Sequence, residues 1–384
     1  MREDSMRQNS NQVVLDAADD YAYLDEWMKA SVHKCLFLVC GASIRKMRID
    51  RYFETLEKRL GIQVVRFSAF QPNPTYESVV AGVNAFLESD ADAIAAVGGG
   101  SAMDVAKCIK LYSGMDHNVC YLEQEIISND IPFLAVPTTA GTGSEATRFA
   151  VIYYEGEKQS VAHESCIPDA VLVDPEALRT LPPYHRKAAM LDAFCHAVES
   201  YWSIKSTEES RRLSVEVIRM ILHYLDSYLG NEQEGNVGML KAANMAGRAI
   251  NITQTTAGHA MCYKLTSLYG IAHGHAAALC VRELWPWMLS HGDQCIDARG
   301  REHLAQVFDG LANAMGCDGP QAAAKSFYTL VEKLELLAPV IREEDYMTLT
   351  KSVNLTRLQN HPVALDKETL EQIYRKIGRS DIES

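Results

Sequence analysis

The spacing of hydrophobic residues changes character near residue 180. Between residues 34 and 175, short apolar runs alternate with amphipathic segments, a pattern typical of β/α units around a parallel sheet. The predicted strands cover residues 35–41, 63–70, 93–100, 132–139 and 170–175, and predicted helices between the first four cover 50–61, 75–92 and 101–114. This half therefore predicts a doubly wound, Rossmann-like α/β domain.

The second half lacks strand-like alternation and consists of long stretches rich in Ala, Leu, Met and Glu. A pair of prolines at 182 and 183 separates the two patterns. We expect a Rossmann-like nucleotide-binding domain over residues 1–180 and an all-helical domain over residues 181–384.

Composition excludes several classes of partner. The chain has 384 residues, 47% of them hydrophobic, with 50 acidic against 37 basic residues and a net charge of -13. Such a surface repels nucleic acid and anionic membranes. The first twelve residues are polar and predict no signal peptide. Ten cysteines are scattered singly, which favours reduced thiols, so we expect a cytoplasmic protein.

Two loops in the first half carry phosphate-binding signals. Residues 93–107 run from a strand through three glycines into a helix whose first turn holds Ser101 and Asp104. The free N–H groups at such a helix start bind anions. A Ser/Thr/Gly-rich loop at 137–148 follows the next strand. The alternatives are a capped strand–turn–helix junction and a connection that binds no ligand.

The second half carries a candidate metal site. Asp192 and His196 are four residues apart, so a helix places both on one face. His259 and His273 would complete a set of one oxygen and three nitrogen ligands, which suits Fe²⁺ or Zn²⁺. The alternative is an ion pair or a hydrogen-bonded core histidine. His275 is interpreted as a packing residue, and Cys195 is assigned no role.

Together these motifs resemble the iron-containing alcohol dehydrogenases. The matching strings are PNP at 72–74, GGGSAMDVAK, PTTAGTGSEATR, LDAFCHAVE, GHAM and YGIAHGHA. The resemblance implies the dehydroquinate synthase-like fold, an α/β domain plus a helical metal-binding domain, with cofactor and metal in a cleft between them. Fe²⁺ is the implied metal and Zn²⁺ the alternative. The implied ligands are Asp192, His196, His259 and His273.

The resemblance also implies a set of nicotinamide cofactor contacts. By motif match these are Gly41, Ser43, Asn73, Gly99, Gly100, Ser101, Asp104, Thr138, Thr139, Thr142, Ser144, Lys158 and Leu178.

Three departures from the family refine this interpretation. After the first strand, where NAD-preferring members carry an Asp, this chain has GASIRK, so Arg45 and Lys46 favour NADPH over NADH unless they are only surface charges. Tyr263 replaces a histidine near the nicotinamide and is a candidate proton donor, with water as the alternative. Arg148 and Lys264 stand where many relatives have neutral residues.

The strings HAMCYKLTSLYGIAHGHA and TRFAVIY, which contain these basic residues, look most like the phosphonate-associated branch of the family, whose members reduce phosphonoacetaldehyde to 2-hydroxyethylphosphonate. Arg148, Lys264 and, more weakly, Arg357 are the predicted phosphonate contacts, since each charge-assisted hydrogen bond contributes about 1.5–3 kcal/mol. Surface or inter-domain ion pairs are the alternative role. We expect metal-dependent reduction of an anionic aldehyde. The alternatives are a general short-chain alcohol or lactaldehyde dehydrogenase and a non-catalytic protein that binds nucleotide and metal. Composition does not fix the number of subunits, and a homodimer is the expectation.

Overall fold

The computed structural model describes residues 12–17 and 19–378. The polar N-terminal segment that predicts no signal peptide lies almost wholly outside these residues. The chain divides into two compact units. One comprises the residues up to Thr139 together with Gly143–Leu181, and the other comprises Ala140–Thr142 and the chain from Pro182 onward.

The first unit is built on a six-stranded parallel sheet in the order β1-β8-β5-β4-β2-β3. A separate antiparallel hairpin is formed by β6 and β7. The strands are β1 (Val13–Asp16), β2 (Cys35–Cys40), β3 (Gln63–Phe67), β4 (Ala93–Gly98), β5 (Phe133–Pro137), β6 (Phe149–Tyr154), β7 (Glu157–Ala162) and β8 (Ala170–Val173).

Helices cover both faces of this sheet, which explains its near-continuous apolar strands. They are α1 (Ala22–Ser31), α2 (Arg48–Glu54), α3 (Leu56–Leu60), α4 (Tyr76–Glu88) and α5 (Gly100–Tyr112). Leu36 and Leu38 of β2 point into a core shared with α1–α3, whereas Phe37 and Val39 point into a core shared with α4 and α5. The alternation along the strand thus builds two separate apolar layers.

The second unit is helical. Its helices are α6 (Pro183–Trp202), α7 (Glu208–Leu229), α8 (Gln233–Thr253), α9 (Ala257–Tyr269), α10 (His273–Ser290), α11 (Arg301–Ala314), α12 (Pro320–Lys333), α13 (Asp345–Lys351), α14 (Leu355–Leu358) and α15 (Lys367–Ile377). Helix α6 packs against α7, α8 and α10, and α9 packs against α10. Among the described residues, none of the helices combines the length and apolar character that a membrane crossing requires.

The predicted fold class is confirmed, and each predicted strand is present. The sequence patterns missed β1, which is only four residues long, and the hairpin β6–β7. The helix predicted over 50–61 is two helices, because α2 ends at Glu54 and α3 begins at Leu56.

Candidate metal centre and cofactor loops

Helix α6 supplies three acidic or imidazole side chains to one buried position. Asp192, His196 and Glu199 follow one another at intervals of four and three residues, so they lie on one face of the helix. All three residues are buried, and Glu199 is 0% exposed. Buried ionisable groups need partners, and these come from α9 and α10.

Two glycines let α9 and α10 approach this face of α6. A Cβ on Gly274 would lie 2.1 Å from the Ala188 carbonyl oxygen and 2.6 Å from Asp192 Cβ. A Cβ on Gly258 would lie 3.1 Å from the Glu199 carboxyl carbon. These glycines flank His259 and His273 in sequence, so their missing side chains allow both histidines to reach α6.

Asp192, His196 and His259 form the metal site. Each offers one ligand atom, and these atoms all lie within 4.8 Å of one another. His259 Nε2 is 3.4 Å from Asp192 Oδ1, and the rings of His196 and His259 stack with centroids 4.5 Å apart. One carboxylate and two imidazoles in a closely spaced buried cluster fit Fe²⁺ or Zn²⁺.

The charge states of these groups follow from their neighbours. Burial alone raises the pKa of Asp192, but the imidazoles of His196 and His259 hold it well below its usual range. Burial lowers the pKa of His196 to about 4. Burial also opposes a charge on His259, yet the Glu199 carboxylate outweighs it and raises that pKa to about 9. The metal-free site therefore holds an anionic carboxylate, a neutral His196 and a His259 that would have to give up its Nε2 proton when a cation binds.

His273, the fourth predicted ligand, lies beside this cluster. Its ring centroid is 5.3 Å from that of His259, and its Nδ1 is 3.5 Å from Cys262 Sγ. It stacks on Tyr263 with centroids 5.2 Å apart. Its place next to the three ligands is observed, while its role as a fourth ligand stays a prediction.

Tyr263 connects the metal site to Arg357. The guanidinium carbon of Arg357 lies 5.4 Å from the Tyr263 ring centroid, and Nη1 donates to Thr255 Oγ1 at 3.0 Å. Burial raises the pKa of Tyr263 well above its usual range, so its phenol stays protonated and able to donate. Lys264 follows on the same helix and is partly buried.

Arg148, the other predicted phosphonate contact, belongs to the first unit. Its Nη1 donates to Glu164 Oε1 at 2.9 Å, and its guanidinium lies 5.2 Å from the Phe149 ring centroid. The alternative role for Arg148 is an ion pair, and this contact supports that alternative.

The predicted cofactor loops lie together at the carboxyl ends of β4 and β5. A Cβ on Gly99 would be 3.3 Å from the Thr139 side chain, and Thr138 N donates to Gly98 O at 3.0 Å. Asn73, in the left-handed region at φ 58, donates its N–H to Ser101 Oγ at 3.4 Å. Helix α5 begins at Gly100, so the free N–H groups of its first turn lie where these two loops come together.

A buried lysine holds the 137–148 loop in place. Lys107 Nζ donates to Ser144 O at 2.6 Å, Phe149 O at 2.7 Å and Thr147 Oγ1 at 3.1 Å. Ser144 Oγ in turn donates to Asp104 Oδ1 at 3.1 Å, and burial raises the pKa of Asp104 to about 6. Asp104 and Ser144, both predicted to contact the cofactor, thus also stabilise the loop.

The remaining predicted cofactor contacts lie in the first unit, except for Thr142, which belongs to the tripeptide Ala140–Thr142. Gly41 precedes an exposed turn that carries Ser43 and follows β2. Lys158 lies on β7, and Leu178 is buried at the end of a short 3₁₀ turn. Thr142 belongs to the tripeptide grouped with the second unit. The roles of all these residues stay predictions.

Sequence reasoning missed Glu199 and Thr256. Thr256 precedes α9 and donates through both N and Oγ1 to Glu199 Oε1, at 3.1 and 2.7 Å. The signal in the sequence was an acidic residue three positions after His196, on the helix face that already carries Asp192 and His196.

The fold and the buried ligand cluster define a metal-dependent oxidoreductase of the α/β plus helical type. Residues 13–175 match the family model described as iron-containing alcohol dehydrogenase, and residues 187–378 match the model of that family's C-terminal part. The chain belongs to the iron-containing alcohol dehydrogenase family.

Relatives and solved structures agree with this assignment. The chain is 32% identical over 325 residues to phosphonoacetaldehyde reductase of Streptomyces viridochromogenes, covering 80% of this chain and 81% of that protein. It is 29% identical to choline dehydrogenase of Bacillus subtilis, covering 83% and 80%. Sulfoacetaldehyde reductase from Bifidobacterium kashiwanohense in complex with NAD⁺ has the same fold, with a TM-score of 0.84 at 22% identity over 97% and 98% of the two chains.

Proposed function

We propose that this oxidoreductase reduces phosphonoacetaldehyde to 2-hydroxyethylphosphonate with NADPH as the preferred hydride donor. The observation that carries the proposal is the cationic Arg357 placed over Tyr263, which itself stacks on His273 beside the metal ligands. A cation at this position supplies a partner for a substrate that has an anionic group close to its carbonyl. The similarity to phosphonoacetaldehyde reductase supports the same substrate class.

Asp192, His196 and His259, with His273 as the fourth ligand, would hold the Fe²⁺ or Zn²⁺ ion. A bound divalent ion supplies Lewis acidity for a carbonyl oxygen. The chain itself contributes position and charge. The Asp192, His196 and His259 side chains are buried, and the protonated phenol of Tyr263 would donate a hydrogen bond to the oxygen that gains negative charge.

The glycine and threonine loops of the first unit would hold the nicotinamide cofactor, which would supply the hydride. The N-terminus of α5 beside Gly99 and Thr139 suits a diphosphate. The segment after β2, GASIRK, contains two basic residues and no acidic one, and its Ser43, Arg45 and Lys46 are exposed. A 2′-phosphate bound there would meet positive charge and no carboxylate from this segment. A homodimer and a cytoplasmic location remain predictions.

The test compares NADPH and NADH oxidation by the Fe²⁺- or Zn²⁺-loaded protein on phosphonoacetaldehyde and on acetaldehyde. We expect Arg357→Ala to lower kcat/KM for phosphonoacetaldehyde by roughly 10- to 150-fold, the value of one charge-assisted hydrogen bond, and to leave acetaldehyde nearly unchanged. Arg148→Ala is the matched comparison, because the Arg148 guanidinium already pairs with Glu164. Lys264→Ala tests the third predicted cation.

Each outcome of this test selects one function. Equal losses on both aldehydes would remove Arg357 from substrate recognition. Activity on acetaldehyde at least as high as on phosphonoacetaldehyde would select a general short-chain alcohol dehydrogenase. No cofactor oxidation with a broad aldehyde panel, together with stabilisation by metal, would select a non-catalytic binding protein.

A further inference from the structure

A buried carboxylate that is not itself in the ligand cluster contacts one of the ligands. Glu199 Oε2 is hydrogen-bonded to His259 Nδ1, on the side of the ring opposite the Nε2 that faces Asp192. The Glu199 side chain is fully enclosed. Burying a carboxylate is costly, so its partners here indicate what it does.

The two oxygens of Glu199 have different partners. Oε1 accepts from Thr256 N at 3.1 Å, Thr256 Oγ1 at 2.7 Å and His259 N at 3.3 Å. Oε2 is left for the His259 ring. Three donors converge on Oε1, which is the arrangement that a carboxylate requires, and an ionised carboxylate only accepts hydrogen bonds.

Trp202 fixes the direction of these hydrogen bonds. Its Nε1 can only donate, and it donates to Thr256 Oγ1 at 2.9 Å. The single hydroxyl proton of Thr256 is then free to point at Glu199, as the 2.7 Å distance indicates. Every donor along the path from Trp202 through Thr256 to Glu199 is thus accounted for.

We propose that Glu199 is the positioning residue of the metal centre, which keeps the Nδ1 proton of His259 in place and turns Nε2 toward the metal. Because a carboxylate cannot donate, Nδ1 must carry a proton, and only Nε2 can then give its lone pair to a cation. With Asp192, Glu199 also brings the number of carboxylates in or next to the ligand cluster to two, and their two negative charges complement a divalent ion. The inference rests on the metal dependence stated under the proposed function.

A purely structural role for Glu199 must be distinguished from this one. Glu199 also accepts the N–H groups of Thr256 and His259 at the start of α9, so it caps that helix. Gly258 permits this close approach, since a Cβ there would lie 3.1 Å from Glu199 Oε1. A cap alone would stabilise the helix without controlling the tautomer of His259.

Glu199→Gln separates the two roles. Gln keeps the size and one oxygen acceptor for the helix cap, but it presents an NH₂ group to Nδ1. His259 Nδ1 must then accept, the ring proton moves to Nε2, and Nε2 is blocked as a ligand. We expect the dissociation constants for Zn²⁺ and Co²⁺ to rise by roughly 10- to 100-fold and the Co²⁺ visible spectrum to change.

The measurement is chelator competition on the full chain with metal alone, without aldehyde or cofactor. Tyr374→Phe is the matched control, because its hydroxyl donates to Met261 O of the same helix at 2.9 Å and contacts no ligand. It should lower the Tm of the metal-free protein by a similar amount yet keep wild-type metal affinity. Glu199→Asp, which keeps the charge, should recover part of the affinity lost in Glu199→Gln.

Several results would overturn the inference. These are wild-type metal affinity and Co²⁺ spectrum in Glu199→Gln, or an equal loss of affinity in Tyr374→Phe. If Glu199→Gln does not fold, Thr256→Val replaces it, and unchanged metal affinity in that variant would count against the inference. Failure of the wild-type protein to bind Zn²⁺ or Co²⁺ would instead contradict the proposed function itself.

Discussion

Gly274→Ala tests the packing that brings the metal ligands together. Gly274 lies between His273 and His275 at the start of α10, against the backbone of α6. The added methyl carbon would be 2.1 Å from the Ala188 carbonyl oxygen, whereas ordinary contacts begin at 3.4 Å. Either α10 or α6 must therefore move by more than 1 Å, since the obstacle is backbone and has no rotamer to change.

The expected cost follows from this overlap. Overpacking costs about 1–3 kcal/mol, and a backbone obstacle places Gly274→Ala near the upper end. The better helix propensity of Ala returns at most about 1 kcal/mol, so the free energy of unfolding should fall by about 2 kcal/mol. For a unit of this length, the Tm of the metal-free protein should fall by roughly 4–8 °C.

The movement should also weaken metal binding, because the same methyl group lies 2.6 Å from Asp192 Cβ. Ligands must be held to within about 0.5 Å, so we expect the Zn²⁺ dissociation constant to rise at least 10-fold. The assays are thermal unfolding and chelator competition. Gly292→Ala is the control, since a Cβ at Gly292 meets nothing within 4 Å. A Gly274→Ala variant that matches this control in both assays would refute the packing argument.

The fold could be predicted because its strands are buried on both faces. A continuous apolar run such as residues 93–98 has few interpretations when helical segments flank it. Strand β1 escaped prediction because its apolar run ends after three residues, VVL, which is shorter than the runs that indicate a buried strand. In the hairpin, β6 has the apolar sequence FAVIYY, but its partner β7, EKQSVA, is mostly polar and gives no apolar signal.

Helical spacing and chemistry both point to Asp192 and His196, whereas His259 and His273 were added to the set because the sequence resembles the family. Glu199 was not predictable, because a single buried acid in a sequence cannot be told from a surface charge without knowing what packs against it. The partners of Arg148 were equally hidden. Glu164 is 16 residues away in the chain, and only the folded loop brings the two together. The hydrogen-bond and ion-pair partners of such residues depend on contacts between distant segments, which composition and periodicity do not show.

Three further predictions concern the metal, the cofactor loop and the acid limit of stability. In thermal unfolding, Zn²⁺ at 100 times its dissociation constant should stabilise the wild-type protein by about 2.7 kcal/mol and the His259→Ala variant hardly at all. An equal rise in the stability of the variant would show that the metal binds elsewhere. In urea unfolding, Lys107→Met should destabilise the protein by at least about 2 kcal/mol more than Lys110→Met. The reason is that Lys107 donates to several buried acceptors, whereas the Lys110 ammonium lies 3.8 Å from Asp169 in an ion pair, and similar losses in the two variants would contradict this. The third prediction concerns His361, which is fully buried and whose pKa burial lowers to about 4 from an ordinary 6.5. A pKa lower in the folded than in the unfolded chain means that the unfolded chain takes up the proton first, so stability is complete above pH 6.5 and is lost as the pH falls toward 4. The loss should approach about 3 kcal/mol, and His361→Phe should remove it, so that the variant's free energy of unfolding changes less between pH 7 and pH 4.5 than that of the wild type. An identical acid dependence in the two proteins would show that His361 is not the group that senses this pH range.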